Sequence, residues 1–307
     1  MVFPLREGRG GRQMKWKNLL NFAIAVLLLL NAVFGVFVYI RYMDENYYDK
    51  EIIENMTALL SRSDIVLEQK ALSDKIAKLY TLRGTVSREK TAEALKYMSG
   101  TAAESDGDML ICRTENAVYT HDGIKAFSYR RSDIPEPDAT GAVSVSNAER
   151  EGERAASAVW EFLSLGKLLS GSGKYKCELI CRDILYSPSG GFFAAKLTMR
   201  IGGLDTDNTL TVYIRDETPL FIEGDLLLAM PEQALAAEEI GVLTVLLDEK
   251  AYVDALPEKK TRILSRISYS YIIWFDMKDN FYFTPICELC YESGEISRYD
   301  MITGERL

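Results

Sequence analysis

The chain has 307 residues, with 36 Lys and Arg against 45 Asp and Glu and 48% hydrophobic residues, so it is acidic and carries enough apolar material for one or two ordinary cores. That balance excludes a wholly disordered chain and a many-helix membrane protein, and its net charge of −9 speaks against a nucleic-acid ligand. Function has to be sought in local segments.

The first of these is residues 19–40, a run without Asp, Glu, Lys, Arg or His that is broken only by Asn21, Asn31 and Gly35. As a helix it reaches about 33 Å, enough to cross a bilayer core of about 30 Å. A cleaved signal peptide has a shorter apolar core followed by a small-x-small site, whereas this run ends in Val36, Phe37, Val38, Tyr39 and Ile40, so a permanent anchor is expected. Arg6, Arg9, Arg12, Lys15 and Lys17 precede it, and Arg41 is soon followed by Asp44, Glu45 and Asp49. The positive-inside rule then gives a cytoplasmic N-terminus (residues 1–17), a transmembrane helix (18–40) and an exported remainder. Beyond Lys17 there are 31 basic and 44 acidic residues, a net charge of about −13. Met14, followed by Lys15, Trp16 and Lys17, has the form of a start, with residues 1–13 as an upstream extension.

After the anchor, residues 50–60 place Ile52, Ile53, Met56, Leu59 and Leu60 at helical spacing, as a stalk helix would. Strands are expected at 65–67 and 79–86, then a helix from Ser87 that carries Ala92, Leu95 and Met98 and is stopped by Gly100. Residues 109–112, 117–120 and 124–129 read as antiparallel strands, the last two joined across His121, Asp122 and Gly123. Residues 132–145 hold Pro135, Pro137 and Gly141 and read as a linker. Ser146 with Glu149 has the form of a capping box, opening a helix with Ala155, Val159, Phe162 and Leu163 on one face and Gly166 at its end. Period-two strands come next near 176–186, 192–201, 210–214 and 220–222, then helix-favouring residues at 231–256 and closing strands at 263–275, 281–291 and 295–301. The expected fold class is α+β, with one N-terminal transmembrane helix and two exported helix-plus-antiparallel-sheet subdomains, 41–145 with the stalk and 146–307.

Chemistry is sparse. The one histidine, His121, lies in a His-Asp-Gly turn where an exposed polar residue is expected. Gly173 and Lys174 are the nearest approach to a phosphate-binding loop, but Leu168 replaces its first glycine and Tyr175 its magnesium-binding hydroxyl. Cys177 and Cys181, and Cys287 and Cys290, leave Cys112 alone; zinc, a disulfide or buried thiols are the readings, and the strand-like surroundings favour buried thiols. Glu238 and Glu239 read as solvated helix surface, and the sequon at Asn55 bears only on glycosylation. No catalytic or cofactor-binding residue and no cofactor is expected, and the chain reads as a non-enzyme. More informative are Asn21, Ala25, Leu28, Ala32, Gly35 and Tyr39, whose four-three-four-three-four spacing puts them on one seam of the anchor, where small residues admit a second helix and asparagine can bond across the contact.

Three features resemble the YycI family of membrane-anchored regulators of the YycF/YycG (WalR/WalK) two-component system. They are Met14-Lys15-Trp16-Lys17 leading into an anchor with Asn31, Phe34 and Gly35; the order of stalk, Ala-rich helix ending in Glu161-Phe162-Leu163-Ser164-Leu165-Gly166, and meander; and a tail of Phe281-Tyr282-Phe283-Thr284-Pro285 and Tyr299-Asp300-Met301-Ile302-Thr303-Gly304-Glu305. Similar endings occur in PepSY-type domains, which leaves a tethered PepSY-like binding or inhibitor module as the alternative. Ile286 and Cys287 depart from the tryptophan expected after the proline, and the cysteine pairs are not a family feature. The resemblance implies regulation of a YycG/WalK-like sensor histidine kinase through the membrane helix, with a YycH-like protein as second partner and lipid around the anchor.

Overall fold

The structure is a computed structural model that describes residues 10–68, 70–73, 75–135, 137, 140–169, 175–235, 240–258 and 260–307, without the side chains of residues 10–15, 17 and 18. Arg6, Arg9, the side chains of Arg12, Lys15 and Lys17, the Gly173-Lys174 pair and the Glu238-Glu239 pair lie outside the described residues. The chain divides into two compact units, Met1–Leu59 with Leu72–Ala77, and Leu60–Ala71 with Lys78–Leu307.

In the first unit a single helix, α1, runs from Gly10 to Asn46 without a proline. Leu, Ala and Val dominate it, and its interior backbone groups bond within the helix, so nothing in the sequence breaks it before the polar Tyr42–Asn46 stretch. There the Asn46 amide turns back to the Tyr42 carbonyl at 2.7 Å, Arg41 pairs with Glu45 at 2.7 Å, and the Asn46 carbonyl is taken up by the Ile76 N–H at 2.8 Å. The next helix, α2 (Lys50–Ser61), is amphipathic, with Ile53, Met56 and Leu60 along its less exposed side.

The second unit begins with β1 (Ile65–Leu67), β2 (Thr81–Thr85), α3 (Arg88–Ser99), β3 (Glu104–Asp106), β4 (Met109–Arg113), β5 (Ala117–His121), β6 (Ala126–Arg131) and β7 (Val143–Ser144). It continues through α4 (Ala148–Phe162), the single turn α5 (Leu165–Leu168), β8 (Cys177–Ser187), β9 (Phe192–Ile201), β10 (Leu204–Arg215) and β11 (Thr218–Asp225). It ends with β12 (Gln233–Leu235), α6 (Val242–Ala255), β13 (Arg262–Phe275), β14 (Asn280–Tyr291) and β15 (Ile296–Asp300). All fifteen described strands belong to one hydrogen-bonded network in the order β12-β2-β14-β13-β10-β11-β6-β5-β4-β3, with β9, β8 and β7 running off β10, β15 beside β14 and β1 beside β13. The protein is thus α+β, a long apolar N-terminal helix and a large sheet.

Strands from both sides of the 132–145 connection share that network: β2 pairs with β14, and β6 with β11. Residue 145 therefore falls inside one compact unit, where the sequence pattern predicts a division into two subdomains. The reason is that β2 and β6 have edges that only later strands can satisfy.

Local chemistry explains most boundaries. Ser87 accepts the Lys90 N–H and Gly100 takes the left-handed conformation, which starts and stops α3 where the sequence predicts. Gly202 and Gly203, at φ +60° and +91°, make a two-residue type I′ hairpin turn between β9 and β10. Along β10, Thr206, Asn208, Leu210, Val212 and Ile214 alternate inward, so the strand expected at 210–214 starts earlier, at Leu204. The capping box does not form: Asn147, without a side-chain bond, precedes α4, and the helix stops at Phe162 because Ser164 enters the left-handed region at φ +53°, ahead of Gly166. In the stretch expected to be helical from 231, Gln233–Leu235 pairs with β2 as an edge strand, and the described helix is Val242–Ala255.

Helix α4 buries Gly152, Ala155, Ala156 and Val159 against the meander. At Gly152 a Cβ would stand 2.8 Å from the Cβ of Cys181, so glycine is what lets the helix lie this near β8. The core continues through Leu95, Leu163, Leu165, Leu197, Ile222, Phe281 and Phe283, each such side chain contributing about 1.5–3 kcal/mol by leaving water.

One buried carboxylate ties α6 to the closing strands. Glu249 is 1% exposed and accepts hydroxyl protons from Tyr291 at 2.6 Å, Ser297 at 3.0 Å and Tyr299 at 2.6 Å, with Arg306 Nε at 3.6 Å. Burial and the adjoining carboxylate raise the pKa of both phenols, so each stays a hydrogen-bond donor across the physiological range. Glu249→Ala strands three hydroxyls and a guanidinium and is expected to cost on the order of 3–5 kcal/mol. Tyr299→Phe, which leaves the carboxylate its other partners, is expected to cost about 1–3 kcal/mol. Urea unfolding of the full chain in detergent, followed by far-UV circular dichroism, measures both.

Candidate functional site

At about 100° per residue, Asn21, Ala25, Leu28, Ala32, Gly35 and Tyr39 fall within an arc of about 80° on α1, and Asn31 lies about 40° outside it. All six are exposed, and a Cβ at Gly35 would meet nothing within 4 Å. Leu19–Asn46, 28 residues with none of the most apolar window buried, is long and apolar enough for a single membrane span and equally for a signal sequence. The seam combines small side chains, which admit close approach, with a polar amide at one end.

His121 departs from expectation. It is fully buried at the end of β5, where its Nδ1 accepts the Gly123 N–H at 2.9 Å. That assigns the proton to Nε2, which donates to the Leu226 carbonyl at 3.0 Å. Both ring nitrogens are thus occupied in the neutral form, and neither is free to act as a general base. Burial lowers the imidazole pKa, opposed by the Leu226 carbonyl and by Asp122. Asp122 itself supports the turn, its Oδ1 accepting the N–H groups of Ile124, Lys125 and Ala126. No local pattern signals this burial, because the carbonyl that receives the proton lies 105 residues further on.

All five cysteines are free. Cys177 and Cys181 are both in β8, four residues apart and therefore about 13 Å apart along an extended strand, and Cys287 and Cys290 in β14 are about 10 Å apart, too far for a disulfide within either pair. No group of three or more His, Cys, Asp or Glu suited to a metal ion occurs among the described residues. Burial pushes the Cys177 and Cys287 thiols up to about 12. These are packing residues, not nucleophiles.

A polar cleft of about 600 Å³ opens beside the meeting of β10 with β13, between Arg182, Asp205, Asp207, Arg266, Ser268 and Glu288. Its charges largely satisfy one another: Asp205 receives both Arg182 and Arg200, the latter at 2.9 Å, and Arg298 meets Glu288 at 3.0 Å. Burial and then the nearby Arg200 and Arg266 lower the Arg182 pKa, while burial raises that of Asp207, whose carboxylate accepts the Ile273 N–H at 3.2 Å. Such a set braces strands; it does not present a nucleophile beside a base. Glu249, which sequence reasoning misses, is likewise structural, and its signal is a lone acid on the apolar stripe Val242, Val245, Leu246, Val253.

No family model and no curated protein matches this chain. Among solved structures, the chain is similar to a crystal structure of an uncharacterized protein from Eubacterium rectale, with a TM-score of 0.42 and 12% identity over 79% of this chain and 90% of that one.

The depressed His121 pKa has a pH signature. The unfolded chain takes up the proton first, near the ordinary value of 6.5, so the stabilisation is full above that pH and is lost as pH falls toward the lowered folded value. His121→Gln keeps a donor and an acceptor but cannot titrate. Urea midpoints measured from about pH 7.5 down to about pH 5 are expected to fall for the native chain and to fall less for the variant.

Proposed function

We propose that this chain is a single-pass membrane protein, N-terminus in the cytoplasm and residues 41–307 outside, that regulates a YycG/WalK-like sensor histidine kinase by contact and without catalysis. A YycH-like protein is its second partner, and lipid surrounds the rest of the anchor. The observation that carries this reading is the seam of α1: an apolar helix with every side chain of the run exposed, bearing Asn21, Ala25, Ala32 and Gly35 within one narrow arc. In lipid such a face gains nothing from the hydrophobic effect, since acyl chains are as apolar as leucine, but it gains dispersion contacts and an amide hydrogen bond from a second helix. A helix packed on a kinase shifts its signalling equilibrium only by as much as it packs differently against the two states, and a difference of about 1–3 kcal/mol changes output about 5- to 150-fold. The basic flank before residue 19 and the acidic region beyond residue 40 support the orientation.

A second reading is a PepSY-like binding module for which the helix is only a tether. It is favoured by the tail, where Asp300 Oδ1 accepts the N–H groups of Ile302 and Thr303 and Gly304 adopts φ +78°, so that the Thr-Gly-Glu ending forms an ordered turn against β15.

The two are separated by exchanging residues 19–40 for an unrelated membrane helix. Loss of kinase control with the exported strands still folded is expected; retained control would leave the tether reading in possession. In the native helix, Asn21→Leu combined with Gly35→Leu is expected to weaken association by about 1–2 kcal/mol, read by crosslinking to the kinase in membranes.

A further inference from the structure

The outer edge of β8 is a second open surface, and its role is independent of the one given to α1. Strand β8 is paired with β9 from Cys177 opposite Ile201 to Ser187 opposite Phe192. On its other side, among the described residues, only Leu185 and Tyr186 have strand partners, Ser144 and Val143 of β7. Among the described residues no strand lies beside 177–183 on that side. A groove of about 700 Å³ runs along it, lined by every residue from Lys176 to Cys181. Successive side chains of a strand point to opposite faces, so a groove touched by all of them must reach round the edge and include its unpaired backbone N–H and C=O groups.

The facing wall is one side of α4, where Glu149, Glu153, Ala156 and Trp160 stand at helical spacing. The helix is held close by the contact of Gly152 with Cys181. The charges of the two walls differ in kind. On the strand side they are spent internally, Lys176 on Glu178 at 2.5 Å and Arg200 on Asp205 at 2.9 Å and Glu178 at 3.8 Å. On the helix side Glu149 and Glu153 are exposed and pair with no cation among the described residues.

We infer that this groove docks an extended, lysine- or arginine-bearing segment of a partner protein. The segment adds to the free edge of β8 antiparallel to it, continuing the line begun by β7. Backbone hydrogen bonds supply the attachment, and cationic side chains on one face of the segment meet Glu149 and Glu153, with Trp160 further along the same wall. A second copy of this chain is the wrong occupant, because pairing two β8 edges brings two unpaired acidic walls to one interface. The short β7 shows that the edge accepts a strand in this direction, since two of its residues already receive one.

The test uses the full chain in a neutral detergent and a fluorescent octapeptide amide of alternating Lys and Val, with binding followed by anisotropy and backbone protection by hydrogen exchange. Saturable binding is expected, with new protection confined to alternate amides of 177–183. Two N-methylated versions, each blocked along one edge of the peptide, separate strand addition from simple charge attraction: one of them is expected to lose binding about tenfold or more. Glu149→Lys with Glu153→Lys, on the exposed side of α4, is expected to weaken the Lys-Val peptide about tenfold and to gain affinity for an octapeptide amide of alternating Glu and Val, a gain that an unfolded variant would not show. Equal binding of both methylated peptides, unchanged binding by the double variant, or protection elsewhere overturns the inference. So does protection of 177–183 that rises with protein concentration alone, which would assign the edge to a second copy.

Discussion

The sheet is held in one piece by a very short parallel contact. Asp205 opposite Ser270 and Thr206 opposite Tyr271 are the rungs by which β10 meets β13, and no other described strand pair joins the meander to the closing strands. Immediately beyond, the pairing of β10 with β9 slips between Asp205 and Thr209, and the Asp207 carboxylate takes the Ile273 N–H in place of a third rung. The irregularity has a cost: Asn208, 1% exposed, keeps both amide atoms without a partner among the described residues. A group left so costs about 1–3 kcal/mol. The surrounding core of Leu210, Val212, Tyr271 and Phe283 has to offset it.

The elements legible in the sequence are those whose signals are local. Ser87 and Gly100 bracket α3, paired glycines turn β9 into β10, and alternation marks β10. Those that are not legible depend on distant partners or on unusual backbone. Asp216 and Glu217 form the β10–β11 turn at φ +49° and +62° without a glycine, and β3, β7 and β12 are two or three residues that become strands only because a neighbour offers an edge. Pairing across the 132–145 connection is illegible for the same reason: the partner of β2 lies about two hundred residues away, in β14.

The two surfaces differ correspondingly. The seam on α1 can be named from sequence because an exposed helix is governed by its own 3.6-residue period, and no tertiary contact intervenes. The β8 groove cannot, since it exists only where Gly152 lets α4 settle against Cys181 and where β7 stops after two residues. As proposed, the first would select a partner by close van der Waals fit within lipid. The second, as inferred, would select by backbone complementarity and charge, so it alone would weaken with added salt.

The unbroken course of α1 sets a mechanical condition. Thirty-seven residues of helix span about 55 Å with no proline to act as a joint, so a twist or sideways push at one end is delivered at the other nearly undiminished. Whatever grips the seam therefore also fixes the heading of the chain as it leaves Asn46. Phase is then a coded quantity: one extra residue would turn the exit of the helix at Asn46 by about 100° relative to the seam, and seven would bring it nearly back.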